Sequence, residues 1–138
     1  GHYFMPGAEA LLETLHGKYH LYICSNGSKK VQDSRIASSG IAKYFDGIFV
    51  SEEMGLNKPD KRYFEACFAQ IPDFRRENSI MVGDSLTSDI KGARNAGLRS
   101  VWLNPSHKAL TGDAAPDYEI DALEKLPILL AKLSELSE

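Results

Sequence analysis

Short apolar runs alternate along the sequence with longer stretches in which apolar residues recur three or four positions apart. Runs of the first kind, bounded by turn residues, predict strands, and stretches of the second kind predict helices. The predicted strands are residues 20–24, 48–50, 79–82, 100–103 and 118–120. The predicted helices are residues 6–15, 29–38, 61–70, 88–96 and 122–136. Residues 52–58 and 104–116 are predicted to be loops between these elements.

This alternation of strand and helix predicts the fold class. It is typical of a parallel sheet with helices on its faces. The predicted strands are short and mostly apolar, as expected for strands that are covered on both faces. We therefore predict an α/β fold with a three-layer, mostly parallel, Rossmann-like sheet, in a single domain that spans residues 1–138.

Composition narrows the class of partner. The 138 residues suit one domain, and a net charge of −3 without a basic block argues against binding to a nucleic acid polymer. The longest apolar run, residues 126–131, is too short to cross a membrane. Cys24 and Cys67 are far apart and lack C-x-x-C spacing, which predicts reduced thiols and a cytoplasmic protein.

The stretch after the third predicted strand carries candidate chemistry. That strand ends at Gly83, and Asp84, a polar turn and then Asp89 follow. Open α/β sheets bind ligands beyond the carboxyl ends of their strands, and carboxylate oxygens are ligands that Mg²⁺ prefers. The alternative is that Asp84 is a turn residue and Asp89 only complements the positive N-terminal end of its helix.

Two other predicted strands are followed by polar residues. Ser25, Asn26 and Gly27 offer a hydroxyl and backbone N–H groups before a helix, which suits an anion, although an ordinary helix cap has the same residues. Lys58 follows the second strand, and Pro59 restricts it to an extended conformation. Its ammonium could neutralise a phosphate, or it could be an ordinary solvated lysine.

The three groups together favour a common site. Each follows a strand of one predicted parallel sheet, so all are expected at the same edge. A hydroxyl donor, a cation and a pair of metal-binding carboxylates suit phosphoryl transfer, which depends on positioning and on neutralising negative charge. The predicted partner is therefore a small phosphorylated substrate.

Three short motifs, in this order, resemble those of the haloacid dehalogenase superfamily, whose members are mostly Mg²⁺-dependent phosphatases. Residues 23–27, Ile-Cys-Ser-Asn-Gly, resemble its second motif. Residues 57–60, Asn-Lys-Pro-Asp, resemble the third, and residues 83–89, Gly-Asp-Ser-Leu-Thr-Ser-Asp, resemble the fourth. The resemblance covers essentially the whole chain and implies the fold of that superfamily.

The resemblance also implies roles for individual residues. Ser25 and Asn26 would bind the phosphate, Ser25 through its hydroxyl and Asn26 through its backbone. Lys58 would be the invariant catalytic cation, which also contacts the phosphate. Asp84 would be a catalytic metal ligand and Asp89 a second acidic group at the metal, which makes Mg²⁺ the implied cofactor.

Further stretches resemble one branch of the superfamily. Residues 51–55, Ser-Glu-Glu-Met-Gly, and residues 95–97, Asn-Ala-Gly, are followed by Trp-Leu-Asn at residues 102–104. These look most like the branch that includes 5′-nucleotidases acting on pyrimidine nucleoside monophosphates. The resemblance therefore implies a small phosphomonoester, such as a nucleoside monophosphate, as substrate.

The sequence departs from the superfamily in its first motif. The family's Asp-x-Asp, which supplies the nucleophile and the general acid, occurs nowhere in the chain, and neither does the helical cap that follows it. The resemblance places the missing strand between those ending at Ser25 and Asp84, which would leave a slot about 10 Å wide. We therefore expect the 138 residues to be a core-domain fragment of a longer enzyme. We expect another segment or another chain to fill that slot, or its walls to pair directly, and we expect this chain alone to be inactive.

Two other functions stay open at this point. One is a dehalogenase of the same superfamily, which uses the same aspartate on carbon and needs no metal. The other is a catalytically inert binding or regulatory domain with the same fold. The motif Gly-Asp-Ser-x-x-x-Asp at residues 83–89 favours the phosphatase.

Overall fold

A computed structural model describes the chain over residues 7–137. The strands are β1 (Tyr22–Ser25), β2 (Gly47–Val50), β3 (Ile80–Gly83), β4 (Arg99–Leu103) and β5 (Tyr118–Ile120). The α-helices are α1 (Ala8–Leu15), α2 (Lys29–Ser39), α3 (Ser51–Met54), α4 (Lys61–Phe68), α5 (Lys91–Asn95) and α6 (Leu126–Ser137). Within this range, no helix combines the length and the apolar character that crossing a bilayer requires. The order of elements is the predicted α/β alternation.

The strands form two separate parallel half-sheets. The first contains β1 and β2, with Ser25 opposite Val50. The second contains β3, β4 and β5, with β4 in the middle and Gly83 opposite Trp102. Over residues 7–137, β1 pairs only with β2 and β3 only with β4. The parallel arrangement is therefore confirmed, and the predicted interruption between the strands that end at Ser25 and Gly83 is present.

Helices on both faces connect the two half-sheets. On one face, Leu12 of α1 packs in a cluster with Ile23 of β1, whereas Leu15 packs in a cluster with Val101 of β4. On the other face, α4 packs against strands of both half-sheets, in a cluster that contains Tyr63, Phe64, Cys67, Phe49, Cys24 and Met81. Because neighbouring strand residues point to opposite faces, Ile23 and Cys24 contribute to different layers. The two half-sheets are thus held together by helix packing.

Helix α4 shows why the sequence folds as predicted here. Its first residue follows Asp60, whose carboxylate accepts a hydrogen bond from the Arg62 N–H and so caps the helix. Tyr63, Phe64 and Cys67 lie on one face and are buried, as the helical spacing predicts.

Several predicted boundaries were wrong. The predicted helix 122–136 becomes α-helical only at Leu126, after a 3₁₀ turn over Leu123–Lys125. Residues 52–58 were expected to form a loop, but α3 covers Ser51–Met54 and is followed by its C-cap, Gly55, which has a φ of 69°. The predicted helix 88–96 begins earlier, as a π-helical turn over Leu86–Ile90 that continues into α5. The Ser85 hydroxyl accepts a hydrogen bond from the Ser88 N–H and so starts this turn. Pro6, the predicted start of the first helix, lies outside the described residues.

Candidate active site

The ammonium group of Lys58 lies between the two half-sheets. Lys58 belongs to the loop between α3 and α4, and its Nζ donates hydrogen bonds to the Cys24 carbonyl at 2.9 Å and to Asp89 Oδ1 at 2.5 Å. Cys24 is in β1, whereas Asp89 is in the turn that follows β3. The structure therefore brings the predicted lysine to both strand ends that were predicted to carry the site.

The Lys58–Asp89 ion pair is buried. The exposed fractions of the two side chains are 8% and 10%, and the Ser85 N–H also donates to Asp89 Oδ2 at 3.3 Å. The Asp89 carboxylate packs directly over Gly83, where an added Cβ would lie 2.5 Å from the Cβ of Asp89. Glycine at position 83 is therefore needed for this packing. Asp89, predicted to be a second acidic group at a metal, serves here as the counter-ion of Lys58.

The side chain of Asn26 binds the backbone of Lys58. The Lys58 N–H donates to Asn26 Oδ1 at 2.8 Å, and Asn26 Nδ2 donates to the Lys58 carbonyl at 3.0 Å. Both hydrogen-bonding ends of the amide are therefore used within the protein. Reasoning from sequence assigned Asn26 to phosphate through its backbone and missed this contact, because the two residues are 32 positions apart and no local pattern connects them.

The loop that follows β1 is fixed by Ser51. The Gly27 N–H donates to Ser51 Oγ at 3.0 Å, and Ser51 is buried at the start of α3. Ser25 itself is only 9% exposed, yet its hydroxyl forms no hydrogen bond with any part of the chain that the structure describes. The predicted anion-binding hydroxyl thus lies at the end of β1, beside an anchored loop, and is free to donate to a ligand.

Asp84 directly follows β3 and is exposed. Its carbonyl accepts a hydrogen bond from Trp102 Nε1 at 3.1 Å, and Trp102 is buried in the neighbouring strand β4. Its carboxylate has neither a hydrogen bond nor an ion pair with other residues in the range 7–137. Trp102 therefore fixes the backbone of Asp84 while the carboxylate stays available. The strand register, which places Trp102 opposite Gly83, is the signal that could have revealed this contact.

The protein groups that could bind a metal at this sheet edge are few, and they suit a hard cation that keeps most of its water ligands. Among the described residues, no group of three His, Cys, Asp or Glu side chains could hold a metal ion. Asp84 offers one free carboxylate, because Asp89 is engaged by Lys58. Mg²⁺ usually keeps several waters and takes one or two protein carboxylates together with substrate phosphate oxygens. The available carboxylate therefore suits Mg²⁺ better than a cation that needs a full set of protein ligands.

Two free thiols lie behind Lys58, on the face covered by α4. The neighbouring Cys67 thiol lowers the pKa of Cys24, and the positive charge of Lys58 lowers it further. The same thiol contact and burial raise the pKa of Cys67. Burial also raises the pKa of Tyr63, whose hydroxyl donates to the Phe49 carbonyl at 2.8 Å. Cys67 and Tyr63 therefore stay neutral at neutral pH, which suits their place in the core.

This geometry agrees with the family to which the sequence belongs. The sequence profile of the haloacid dehalogenase-like hydrolases matches residues 2–97, so the chain belongs to that family. The resemblance drawn from the three motifs is thereby confirmed.

Individual relatives indicate the branch of the family to which the sequence is most similar. The chain is 44% identical over 126 residues to the HAD-hydrolase YfnB of Bacillus subtilis, an alignment that covers 91% of this chain and 54% of YfnB. It is 40% identical to the pyrimidine 5′-nucleotidase PynA of Streptococcus pneumoniae, covering 88% of this chain and 52% of PynA. It is 38% identical to the pyrimidine 5′-nucleotidase YjjG of Escherichia coli, covering 93% of this chain and 57% of YjjG. The resemblance to the pyrimidine nucleotidase branch is therefore confirmed.

Comparison with solved structures agrees with the family assignment. The crystal structure of Bacillus subtilis YfnB bound to magnesium superposes with a TM-score of 0.91 at 43% identity, covering 94% of this chain and 57% of YfnB. The three-layer α/β class is thus shown. The chain spans about half the length of the curated relatives that it matches.

Proposed function

We propose that this chain belongs to a Mg²⁺-dependent phosphohydrolase that cleaves a small phosphomonoester of the nucleoside monophosphate type. The observation that carries the proposal is the ammonium of Lys58, held between the carboxyl ends of β1 and β3. At the ends of these two strands, the Ser25 hydroxyl and the Asp84 carboxylate have no partner among the described residues. A cation, a hydroxyl donor and a free carboxylate at one sheet edge suit a phosphate and its magnesium.

The hydrogen bonds of Lys58 explain how it would act. An ammonium group has three N–H donors, and Lys58 donates two of them, to Cys24 and to Asp89. The third donor remains for a phosphoryl oxygen. Because the side chain is already ordered, little rotamer freedom is lost when substrate binds. Lys58 would therefore neutralise charge that develops on the phosphoryl group without reorganising first.

Ser25 and Asp84 would complete the site. The Ser25 hydroxyl would donate to a second phosphoryl oxygen, and the backbone of Asn26 would contribute there. Asp84 would hold Mg²⁺, and the bound ion would neutralise part of the phosphate charge. Asp89 would hold the ammonium of Lys58 in place, and could also orient water near the metal.

The nucleophile would lie outside this sequence, which contains no Asp-x-Asp. We place it on an extended segment that enters the slot between β1 and β3, where each half-sheet has an edge without a strand partner in the described part of the chain. Its aspartate would attack phosphorus to form an aspartyl-phosphate, which water would hydrolyse. The segment belongs either to a longer form of this chain or to a second chain.

Two further aspects complete the proposal. A net charge of −3 supports a small phosphorylated substrate rather than a nucleic acid polymer. Both cysteines are free, which supports a reducing, cytoplasmic environment.

The test compares this chain with the intact enzyme that contains it. Hydrolysis of p-nitrophenyl phosphate and of nucleoside monophosphates is measured with and without Mg²⁺. The intact enzyme should be Mg²⁺-dependent, this chain alone should be inactive, and Asp84→Asn should lower kcat in the intact enzyme by roughly 10²–10³-fold. Asp73→Asn is a matched control, because Asp73 is an exposed residue before β3, at the far end of the strand, and should change kcat less than about twofold.

Two outcomes would contradict the proposal. Robust Mg²⁺-dependent hydrolysis by this chain alone would show that the nucleophile is within it. Metal-independent release of halide from a 2-haloacid by the intact enzyme, without phosphatase activity, would assign the site to a dehalogenase.

A further inference from the structure

The amide of Asn26 and the peptide of Lys58 form a paired contact that resembles a short piece of sheet. One amide group accepts from the Lys58 N–H at 2.8 Å and donates to the Lys58 carbonyl at 3.0 Å. Asn26 directly follows β1, whereas Lys58 lies beyond β2 and α3. The contact therefore fixes the backbone of Lys58 relative to the carboxyl end of β1, where Ser25 lies.

Lys58 is consequently held at both ends of its side chain. Asn26 fixes its peptide, and the Cys24 carbonyl and Asp89 fix its ammonium. A lysine has four rotatable bonds between these two points, so an unfixed peptide would let the ammonium occupy many positions. Fixing both ends leaves a single place for its remaining N–H donor.

Other contacts already hold the loop around Lys58. The Asp60 N–H donates to the Asn57 carbonyl at 2.9 Å, and Asp60 caps α4. Asn95 Nδ2 donates to the Pro59 carbonyl at 3.3 Å. The loop therefore has anchors of its own, and what Asn26 adds is the placement of residue 58 itself.

We propose that Asn26 is a positioning residue, which acts through Lys58 and aims its ammonium at the transferring phosphoryl group. This inference rests on the proposed function. The amide oxygen and the amide nitrogen of Asn26 both bind the backbone of Lys58, so Asn26 is assigned a role through the lysine rather than a contact with substrate. Asn26 sets the position of the Lys58 ammonium, which is the group proposed to contact substrate.

The kinetic test uses Asn26→Ala in the intact enzyme. Misplacing a group by about 1 Å can cost up to about 10²-fold in rate, so kcat for p-nitrophenyl phosphate should fall by roughly 10- to 100-fold while KM changes less than about threefold. Asn95→Ala removes an amide contact to the adjacent carbonyl and should leave kcat within about twofold. Asn26→Asp keeps the acceptor for the Lys58 N–H and should lie between Asn26→Ala and the parent enzyme.

A double-mutant cycle separates positioning from a general structural effect. If Asn26 acts only through Lys58, Lys58→Met and the double variant Lys58→Met with Asn26→Ala should have the same kcat within about twofold. Multiplicative losses in the double variant would overturn the inference, because they would show that Asn26 acts independently of the lysine.

Amide hydrogen exchange of Lys58 gives a readout that does not depend on activity. Protection of the Lys58 N–H should fall at least about tenfold in Asn26→Ala and stay unchanged in Asn95→Ala. Unchanged protection in Asn26→Ala would overturn the contact itself. Protection that falls as expected, in a parent enzyme that hydrolyses no phosphomonoester, would refute the proposed function and the positioning role with it, while leaving the contact established.

Discussion

Lys58 and Asp89 carry opposite charges in a place that water hardly reaches. Their side chains are 8% and 10% exposed, and the ammonium also donates to the Cys24 carbonyl. Removing two ions from water is costly, and the cost is offset only while both partners are present and hydrogen bonded. The pair therefore makes the fold depend on the same contact that positions the proposed catalytic cation.

Removing either charge alone should reduce the free energy of unfolding strongly, and removing both charges should reduce it by less than the sum of the two single changes. Lys58→Met leaves the Asp89 carboxylate buried without a counter-ion and should reduce the free energy of unfolding by about 3–5 kcal/mol. Lys58→Met combined with Asp89→Asn removes both charges and should cost less than the sum of the two single changes. Urea denaturation followed by circular dichroism measures all four proteins. Strictly additive losses would show that the two charges are not coupled.

At the scale of elements, the ends of helices were harder to predict than their buried faces. The spacing of Tyr63, Phe64 and Cys67 predicted the buried face of α4 correctly. The helical turn α3 was missed, because a helix of only four residues carries too little periodicity to be recognised. The π-helical turn before α5 was also missed, since its start depends on the Ser85 hydroxyl capping a backbone N–H.

The cap of α4 should make stability depend on pH. Hydrogen bonds from Arg62 lower the pKa of Asp60 in the folded protein. A carboxyl with a lowered folded pKa stabilises the protein above its unfolded pKa, and this stabilisation is lost as pH falls through the folded pKa. Asp60→Ala should therefore lower Tm at pH 7, and its effect should shrink below about pH 3.9, the ordinary aspartate pKa.

Thermal unfolding of Asp60→Ala between pH 7 and pH 2.5 measures this effect. Asp113→Ala is a suitable control, because Asp113 is an exposed loop residue that caps no helix and should change Tm little at any pH. An Asp60→Ala loss that stays constant down to pH 2.5 would rule out the ionised cap as its cause.

At the scale of the molecule, the fold is two half-sheets joined by helices. Hydrogen-bonded ladders run within each half-sheet, and α1 and α4 pack across both. Side-chain packing restrains backbone groups less directly than a ladder of hydrogen bonds does. The edges of β1 and β3 that face away from their paired strands are therefore the places where an additional strand would add most order.

Hydrogen exchange should reveal this division. In this chain, backbone amides of β1 and β3 that point away from their paired strands should exchange at least about tenfold faster than amides within the ladders. In the intact enzyme, the same amides should become protected, because the proposed segment supplies carbonyl partners. Exchange measured by NMR on both proteins tests this. If the outward-pointing amides and the ladder amides were equally protected in this chain, the slot between β1 and β3 would not be open.

What the sequence determined by itself is the set of strands, their parallel class and the sheet edge at which Ser25, Lys58 and Asp84 are predicted to lie. Apolar runs and helical periodicity are local, and parallel strands necessarily bring their carboxyl ends to one side of a sheet. The tertiary structure alone decided how these groups are supported. The binding of Lys58 by Asn26, the hydrogen bond from Trp102 to the Asp84 carbonyl and the ion pair with Asp89 join residues distant in sequence. Such contacts follow from strand register and packing, which no local pattern of residues specifies.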